Sequence, residues 1–341
     1  MNRIRGIAIS RTDSIGDVIL TLPLAGLLKE LFPSSRITFI GKTYTKSIIE
    51  CCRHVDGFIA WDSLKNKDEQ LNTMRLLSLD CIIHVFPNKE IAHFAKRAKI
   101  PVRIGTGNRI FHWITCNKLV KLSRKKSLLH EAQLNLVLAQ PLGANKFYSP
   151  AEIQKFLSFV PQEKLPTVEN VISPDKFNVV LHPKSKGSAR EWGTHNFAQL
   201  IKLLPKERFS IFITGTQAEG DMVREDFITP LADRIVDLTG KLTLPQLIKL
   251  LSEVDAIVAA STGPLHIGSA LGINAIGIFP PIRPMHPGRW APIGKLTKIF
   301  VAKKECNKCR KNATLCSCMV EIKPEQIAEY LMCIAAKKAA Q

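Results

Sequence analysis

Ile4-Arg-Gly-Ile-Ala-Ile-Ser10 runs straight into Arg11-Thr-Asp-Ser-Ile-Gly-Asp17, and this junction decides the fold class. The first segment is an apolar run of strand length, and a helical pattern opens near Gly16 and continues over 16–31. Outward from it the rhythm recurs. Strand patterns lie over 4–10, 36–40, 81–85 and 102–105, and helix patterns over 16–31, 43–53, 68–79, 90–99 and 129–140. A second series has strands over 177–182, 209–214, 235–237, 256–260 and 275–279, and helices over 194–204, 218–227, 243–253 and 264–271. Such alternation describes βαβ units, whose parallel sheets are buried on both faces. Pro161, Pro166 and Pro174 interrupt 159–174, which reads as a linker because proline stops both helix and sheet. A last helix covers 324–335. The expected class is α/β. Two Rossmann-like, doubly wound parallel-sheet domains span 1–165 and 166–323 and face a central cleft, followed by a C-terminal helix in 324–341. Ligands then belong at the carboxyl ends of the strands.

The bulk numbers agree. At about 150 residues per domain, 341 residues favour two domains. Hydrophobic residues at 45% and charged residues at 23% exclude disordered, collagen-like and coiled-coil chains. The net charge is +19, with 25 basic against 14 acidic residues up to position 170 and 23 against 15 after it. The excess is spread over both halves, so it implies a polyanionic partner rather than a basic tail. The apolar stretch after Met1-Asn2-Arg3 is broken by Arg11 and Asp13, too early for a secretory signal. Residues 256–282 lack Asp, Glu, Lys and Arg but hold Gly263, Pro264, Gly268, Gly272 and Pro280, so they read as strand, loop, helix, strand rather than a membrane span. Nine cysteines are an odd number without an even framework, which favours reduced thiols and a cytoplasmic chain.

Three loops after strands carry the chemistry. Arg11-Thr-Asp-Ser-Ile-Gly-Asp17 matches no common nucleotide fingerprint. Asp17 there either complements the helix dipole or serves as a base, and Asp13 reads as an N-cap. His182-Pro-Lys-Ser-Lys-Gly-Ser-Ala-Arg-Glu-Trp192 gathers Lys184, Ser185, Lys186 and Arg190, which suit a diphosphate. In Ser261-Thr-Gly-Pro-Leu-His266, Pro264 fits the first helical turn, and the N–H groups of Thr262, Gly263 and Leu265 make an anion site at a helix N-terminus. His266 alone reads as a structural histidine rather than a catalyst.

Together, Arg11-Thr-Asp-Ser-Ile-Gly-Asp-Val-Ile19, His182-Pro with Arg190-Glu-Trp192, Asp237-Leu-Thr-Gly-Lys241, Ser261-Thr-Gly-Pro-Leu-His266, His130-Glu131 and Cys318-Met319 resemble the heptosyltransferases of lipopolysaccharide core synthesis, glycosyltransferase family 9. The resemblance spans almost the whole chain. It implies a GT-B fold, an amino-terminal acceptor domain and a carboxy-terminal domain for a nucleotide-diphosphate sugar, typically ADP-heptose. It also implies inverting transfer with no metal and no cofactor. Asp17 matches the family's base. Lys184, Ser185, Lys186, Arg190, Ser261, Thr262, Gly263, Pro264, Leu265 and His266 become donor-binding candidates. Ser261 stands where family members often have Asp, which touches on the choice of sugar.

From Ile91 to His130 there are ten Lys and Arg and no Asp or Glu, with Phe111, Trp113 and Leu128 interleaved. On a lipid-modifying enzyme this reads as the face that meets anionic phospholipid or a phosphorylated saccharide. Arg11, Ser14, Gly16, Arg103, Arg109, Arg124, Lys125 and Lys126 are therefore candidates for the acceptor or the membrane. The expected location is cytoplasmic, peripheral on the inner face of the inner membrane. In 280–290, Arg283, His286 and Arg289 stand among prolines, either as a ligand rim or as a stiff turn. Cys306, Cys309, Cys316 and Cys318 have spacing compatible with zinc, with reduced thiols the preferred reading. Two other functions compete: a nucleotide-sugar epimerase of the same architecture and a basic nucleic-acid-binding protein. The second has only net charge behind it, since aromatics are 7% and no recognised motif is present. No specific nucleic-acid partner is expected.

Overall fold

The computed structural model describes residues 4–125, 127–163, 171–283, 285–302 and 318–340. The chain divides into two compact units, 1–162 and 163–341. The first holds strands β1 (Gly6–Ser10), β2 (Arg36–Gly41), β3 (Gly57–Ala60), β4 (Cys81–His84), β5 (Val102–Thr106) and β6 (Lys118–Val120). The second holds β7 (Phe177–His182), β8 (Phe209–Ile213), β9 (Val236–Asp237), β10 (Ala256–Ala260), β11 (Asn274–Phe279) and β12 (Thr297–Val301).

All ten strand pairings are parallel. The sheet orders are β3-β2-β1-β4-β5-β6 and β12-β11-β10-β7-β8-β9. Counted from its own first strand, each sheet has the same doubly wound order, 3-2-1-4-5-6. The order reverses between β1 and β4 in one unit and between β7 and β10 in the other. Register sets Ser10 beside His84 and His182 beside Ala259, so the loops that leave these strands are neighbours.

Burial explains the apolar runs. Ile7, Ala8 and Ile9 of β1 and Val179, Val180 and Leu181 of β7 are fully buried. In the second unit Trp192, Phe197, Phe212 and Phe227 are among the largest fully buried side chains. The C-terminal helix, Pro324–Ala339, buries Ile327, Ala328, Leu331 and Ala335 in this unit's core.

Among the described residues, three strands and three short α-helices are additional to the sequence reading: the sheet-edge strands β3, β6 and β12, and the helices Ile110–Thr115, Pro150–Ile153 and Pro287–Trp290. The helix expected over 16–31 is two helices, Ile15–Ile19 and Leu22–Leu31. Pro23 accounts for the break, since it has no N–H to give and its ring crowds the carbonyl four residues back, at Ile19. Gly26 in the second of these helices lies against backbone. A Cβ there would stand 2.1 Å from the Phe156 carbonyl oxygen.

Candidate active site

The loop after β1 is organised around one buried guanidinium. Arg11 is 3% exposed, and all of its nitrogens are engaged. Nε and Nη2 grip Asp13 at 2.7 and 2.9 Å, and Nη2 also donates to Asp17. Nη1 donates to Glu131 at 3.0 Å, to Asn135 at 3.2 Å and to Thr21 at 3.3 Å. Glu131 and Asn135 project from the helix Glu131–Val137, one turn apart on the same face. Arg124 reaches the same pair, with Nε 2.9 Å from Glu131 and Nη2 2.9 Å from Asn135. Asn135 also donates to the Leu20 carbonyl at 2.9 Å, which holds the break between the two N-terminal helices.

Two guanidiniums thus meet three carboxylates. Asp17 stands in the first turn of Ile15–Ile19, 18% exposed, with one oxygen on Arg11 and the other accepting from the exposed Ser14 hydroxyl. Burial pushes the Asp17 carboxyl up. Arg11 works against that rise, while Asp13 and Glu131 add to it. The alternative reading of Asp17, as a carboxylate that complements the helix dipole, would hold this group low. A helix of five residues has little dipole to offer, and burial dominates. The Arg11 pKa moves up although burial opposes its charge, because Asp13, Asp17 and Glu131 surround it.

In the second unit the loop from Pro183 to Trp192 is pinned at its far end. Trp192 is fully buried, and its indole N–H donates to the Ile322 carbonyl at 2.8 Å. Glu191 folds back on the loop, taking Lys184 Nζ at 2.5 Å and the Ser185 N–H and hydroxyl at 3.1 Å each. Lys186 and Gly187 follow in the left-handed region, with φ of 48° and 79°, and Lys186 is exposed at the crest. Arg190 is half-buried beside it. On the neighbouring strand, β10 ends at Ala260 and the nine-residue helix Gly263–Leu271 begins. No side chain caps this helix, and the buried Thr262 hydroxyl has no hydrogen-bond partner among the described residues. His266 is buried in the second helical turn. The His182 imidazole at the end of β7 meets the Thr214 hydroxyl at 3.0 Å, and burial lowers its pKa to about 4.

The family model for glycosyltransferase family 9 (heptosyltransferase) matches residues 74–319, well over half of the chain. The chain belongs to this family of heptosyltransferases. A Haemophilus influenzae protein assigned as a glycosyltransferase is 28% identical over 306 residues, covering 86% of this chain and 87% of its own. The lipopolysaccharide core heptosyltransferase OpsX of the same species is 21% identical over 311 residues, covering 88% and 85%. Among solved structures, Escherichia coli ADP-heptose LPS heptosyltransferase II superposes with a TM-score of 0.74 at 16% identity, covering 98% of this chain and 100% of the other. The iron-containing dodecameric glycosyltransferase TibC of enterotoxigenic E. coli superposes at 0.56 with 12% identity, covering 99% and 78%. These likenesses give the GT-B fold, two Rossmann-like sheets in one chain.

Against this heptosyltransferase fold the candidate residues sort themselves. Asp17 and Ser14 stand together at the end of β1, while Arg11 does not face outward to acceptor or membrane: it is buried and spent on carboxylates. Arg124 is likewise turned to Glu131 and Asn135, and Arg103 donates to the Ile100 and Thr115 carbonyls. Arg109 and Lys125 are exposed, and Lys126 lies outside the described residues. Asp13 is a partner of Arg11, while Ser14 takes the N-cap position. Lys184 and Ser185 are held by Glu191, which the sequence reading passed over as part of the Arg-Glu-Trp motif. The Thr262 N–H donates to Ala260 at 2.7 Å, so the outward amides of that turn are those of Gly263 and Leu265. His286 caps the short helix Pro287–Trp290 through the Gly288 N–H at 3.0 Å, which favours the structural reading of that turn.

Glu131, Asn135 and Thr21 were not singled out for the site. A signal was available: two polar residues one turn apart on a helix whose other positions, Gln133 apart, are apolar. Cys306, Cys309 and Cys316 lie outside the described residues, and Cys318 is buried. Among the described residues no group of three or more His, Cys, Asp or Glu is placed to hold a metal, and no helix is long and apolar enough to cross a membrane.

Proposed function

We propose that the chain moves heptose from ADP-heptose to a hydroxyl of a lipopolysaccharide core or related lipid-linked saccharide, with inversion at the anomeric carbon and no metal ion. The first unit takes the acceptor and the second takes the donor. The enzyme works at the cytoplasmic face of the inner membrane as a peripheral protein.

The observation that carries this reading is the charge count at Asp17. Among the described residues, Arg11 and Arg124 set two positive charges against the three carboxylates of Asp13, Asp17 and Glu131. Asp13 and Asp17 are both partly exposed, at 22% and 18%, but both Asp13 oxygens are taken by Arg11, whereas Asp17 keeps one for the exposed Ser14 hydroxyl, and burial raises its proton affinity. An acceptor hydroxyl that takes the place of the Ser14 hydroxyl has its proton received by Asp17 as its oxygen bonds to the anomeric carbon. The bond from that carbon to the diphosphate breaks on the opposite face. Negative charge then grows on the departing phosphates, where Lys186, Arg190 and the amides of Gly263 and Leu265 stabilise it. Ser185 and Thr262 shape the turns that present these groups. These fixed charges take the place a metal would have.

The testing experiment is a thermal-shift series with ADP-heptose and with UDP-, GDP- and CDP-sugars, followed by NMR of the transfer product. ADP-heptose alone should raise the melting temperature substantially, by mass action. The product should carry the inverted anomer, and chelator-treated enzyme should keep its rate. A stronger shift with another nucleotide, a retained anomer or a chelator-sensitive rate would each refute the corresponding part.

A further inference from the structure

The helix Ile110–Thr115, between β5 and β6, turns large apolar side chains outward. Ile110 is 89% exposed, Trp113 68% and Ile114 67%. Positions i, i+3 and i+4 share one helix face, so the three form a single stripe. The opposite face anchors the helix, with His112 and Thr115 buried. The Trp113 indole N–H donates to the Gly107 carbonyl at 2.9 Å, which fixes the ring while leaving it in water. Single exposed apolar side chains are ordinary, but contiguous ones mark interaction surfaces.

The surroundings say what covers it. Arg109 precedes the helix, and Lys118 and Lys121 follow it, all exposed. No Asp or Glu occurs between Ile91 and His130. Apolar side chains flanked by cations alone suit an anionic bilayer, where tryptophan sits at the headgroup level and Lys and Arg meet lipid phosphates. A protein partner with a matching apolar surface would not require this one-sided charge.

We infer that Ile110, Trp113 and Ile114 are an insertion wedge that enters the headgroup region of an anionic membrane, with Arg109, Lys118 and Lys121 as its electrostatic flank. The inference deepens the peripheral-membrane reading above and rests on it. Among the described residues, none of the wedge side chains bonds to the Arg11–Asp17 cluster, and the donor loops belong to the other unit, so anchoring and chemistry can be tested separately.

The test uses the full-length protein and vesicles of phosphatidylcholine with and without 30% phosphatidylglycerol (a choice of about one anionic lipid in three, in the range of anionic leaflets). Wild type should bind the anionic vesicles, and its emission should shift to the blue, a shift absent in Trp113→Phe. The double variant Ile110→Ser/Ile114→Ser keeps every charge. It should bind these vesicles at least tenfold more weakly, with unchanged melting temperature and unchanged transfer to a water-soluble truncated acceptor. Wild type that ignores anionic vesicles overturns the membrane reading itself. Vesicle binding that is equal in wild type and double variant, or that leaves the emission of Trp113 unmoved, overturns the wedge alone. Self-association of wild type that the double variant abolishes assigns the stripe to a second copy of the chain and also overturns it.

Discussion

Arg11 and Glu131, 120 positions apart in sequence, meet at 3.0 Å inside the first unit, with Arg11 3% exposed and Glu131 fully buried. The contact joins the loop that leads into the Asp17 helix to the helix Glu131–Val137. It also explains how a carboxylate can be both oriented and basic. The same arginine that grips Asp17 is shared with two other acids.

Glu131→Gln removes one of the charges that raise the Asp17 pKa and releases part of Arg11 to Asp17. Both changes favour ionised Asp17. The ascending limb of the pH–rate profile should therefore move to lower pH, and the plateau rate should fall as the base weakens. Stability should drop by at most about 3 kcal/mol, below the usual cost of breaking a buried pair, because Arg11 keeps Asp13 and Asp17. A limb at the wild-type pH would remove Glu131 from any role in tuning the base.

Arg190→Ala tests the donor loop. In the proposed mechanism its charge meets a phosphate that becomes more negative as the bond breaks, so both donor affinity and turnover should fall, turnover by about a hundredfold, the scale of one lost oxyanion donor. Trp192 stays buried in the variant, so the chain should still fold, and a melting temperature taken without donor is the control. Calorimetric titration with donor and a rate measurement decide it, and wild-type values in both would place the phosphates elsewhere.

His84, at the end of β4, is fully buried, and neither ring nitrogen has a hydrogen-bond partner among the described residues. Burial, then the neighbouring His112 and Arg103, lowers its pKa to about 3. The unfolded chain takes up this proton below about pH 6.5, while the folded chain refuses it until about pH 3. Stability should therefore fall as pH drops through that window, by up to roughly 1.4 kcal/mol per pH unit for this one group. His84→Leu should flatten the slope measured by urea unfolding at pH 7.5, 6 and 5. An unchanged slope would mean that His84 is not the group being titrated.

Much of this was legible from local sequence. Strands buried on both faces announce themselves as apolar runs, and loops that leave them are where ligands bind. The edge strands were harder. β6 is three residues with Lys118 and Leu119 exposed, so no apolar run marks it. The helix Ile110–Thr115 was hidden inside a basic stretch, because its outward face is apolar and a helix with reversed polarity gives no ordinary amphipathic signal. The Arg11 cluster was illegible for a different reason. A lone arginine beside a candidate catalytic carboxylate looks like a ligand for an anionic substrate. Only the fold, by bringing Glu131 and Asn135 beneath it, turns it into an internal clamp.

The central claim is that Asp17 accepts the acceptor's proton, and single-turnover transfer by Asp17→Asn tests it most directly. The variant keeps size and polarity. Donor affinity should stay at the wild-type value, because the donor residues lie in the other unit. Transfer should slow by about two to four orders of magnitude, the range for loss of a general base. Asp13→Asn, which loosens one grip of Arg11, should transfer within about tenfold of wild type and lose some stability. Near wild-type transfer by Asp17→Asn would contradict the account, and a severe loss in Asp13→Asn alone would hand the role to that carboxylate.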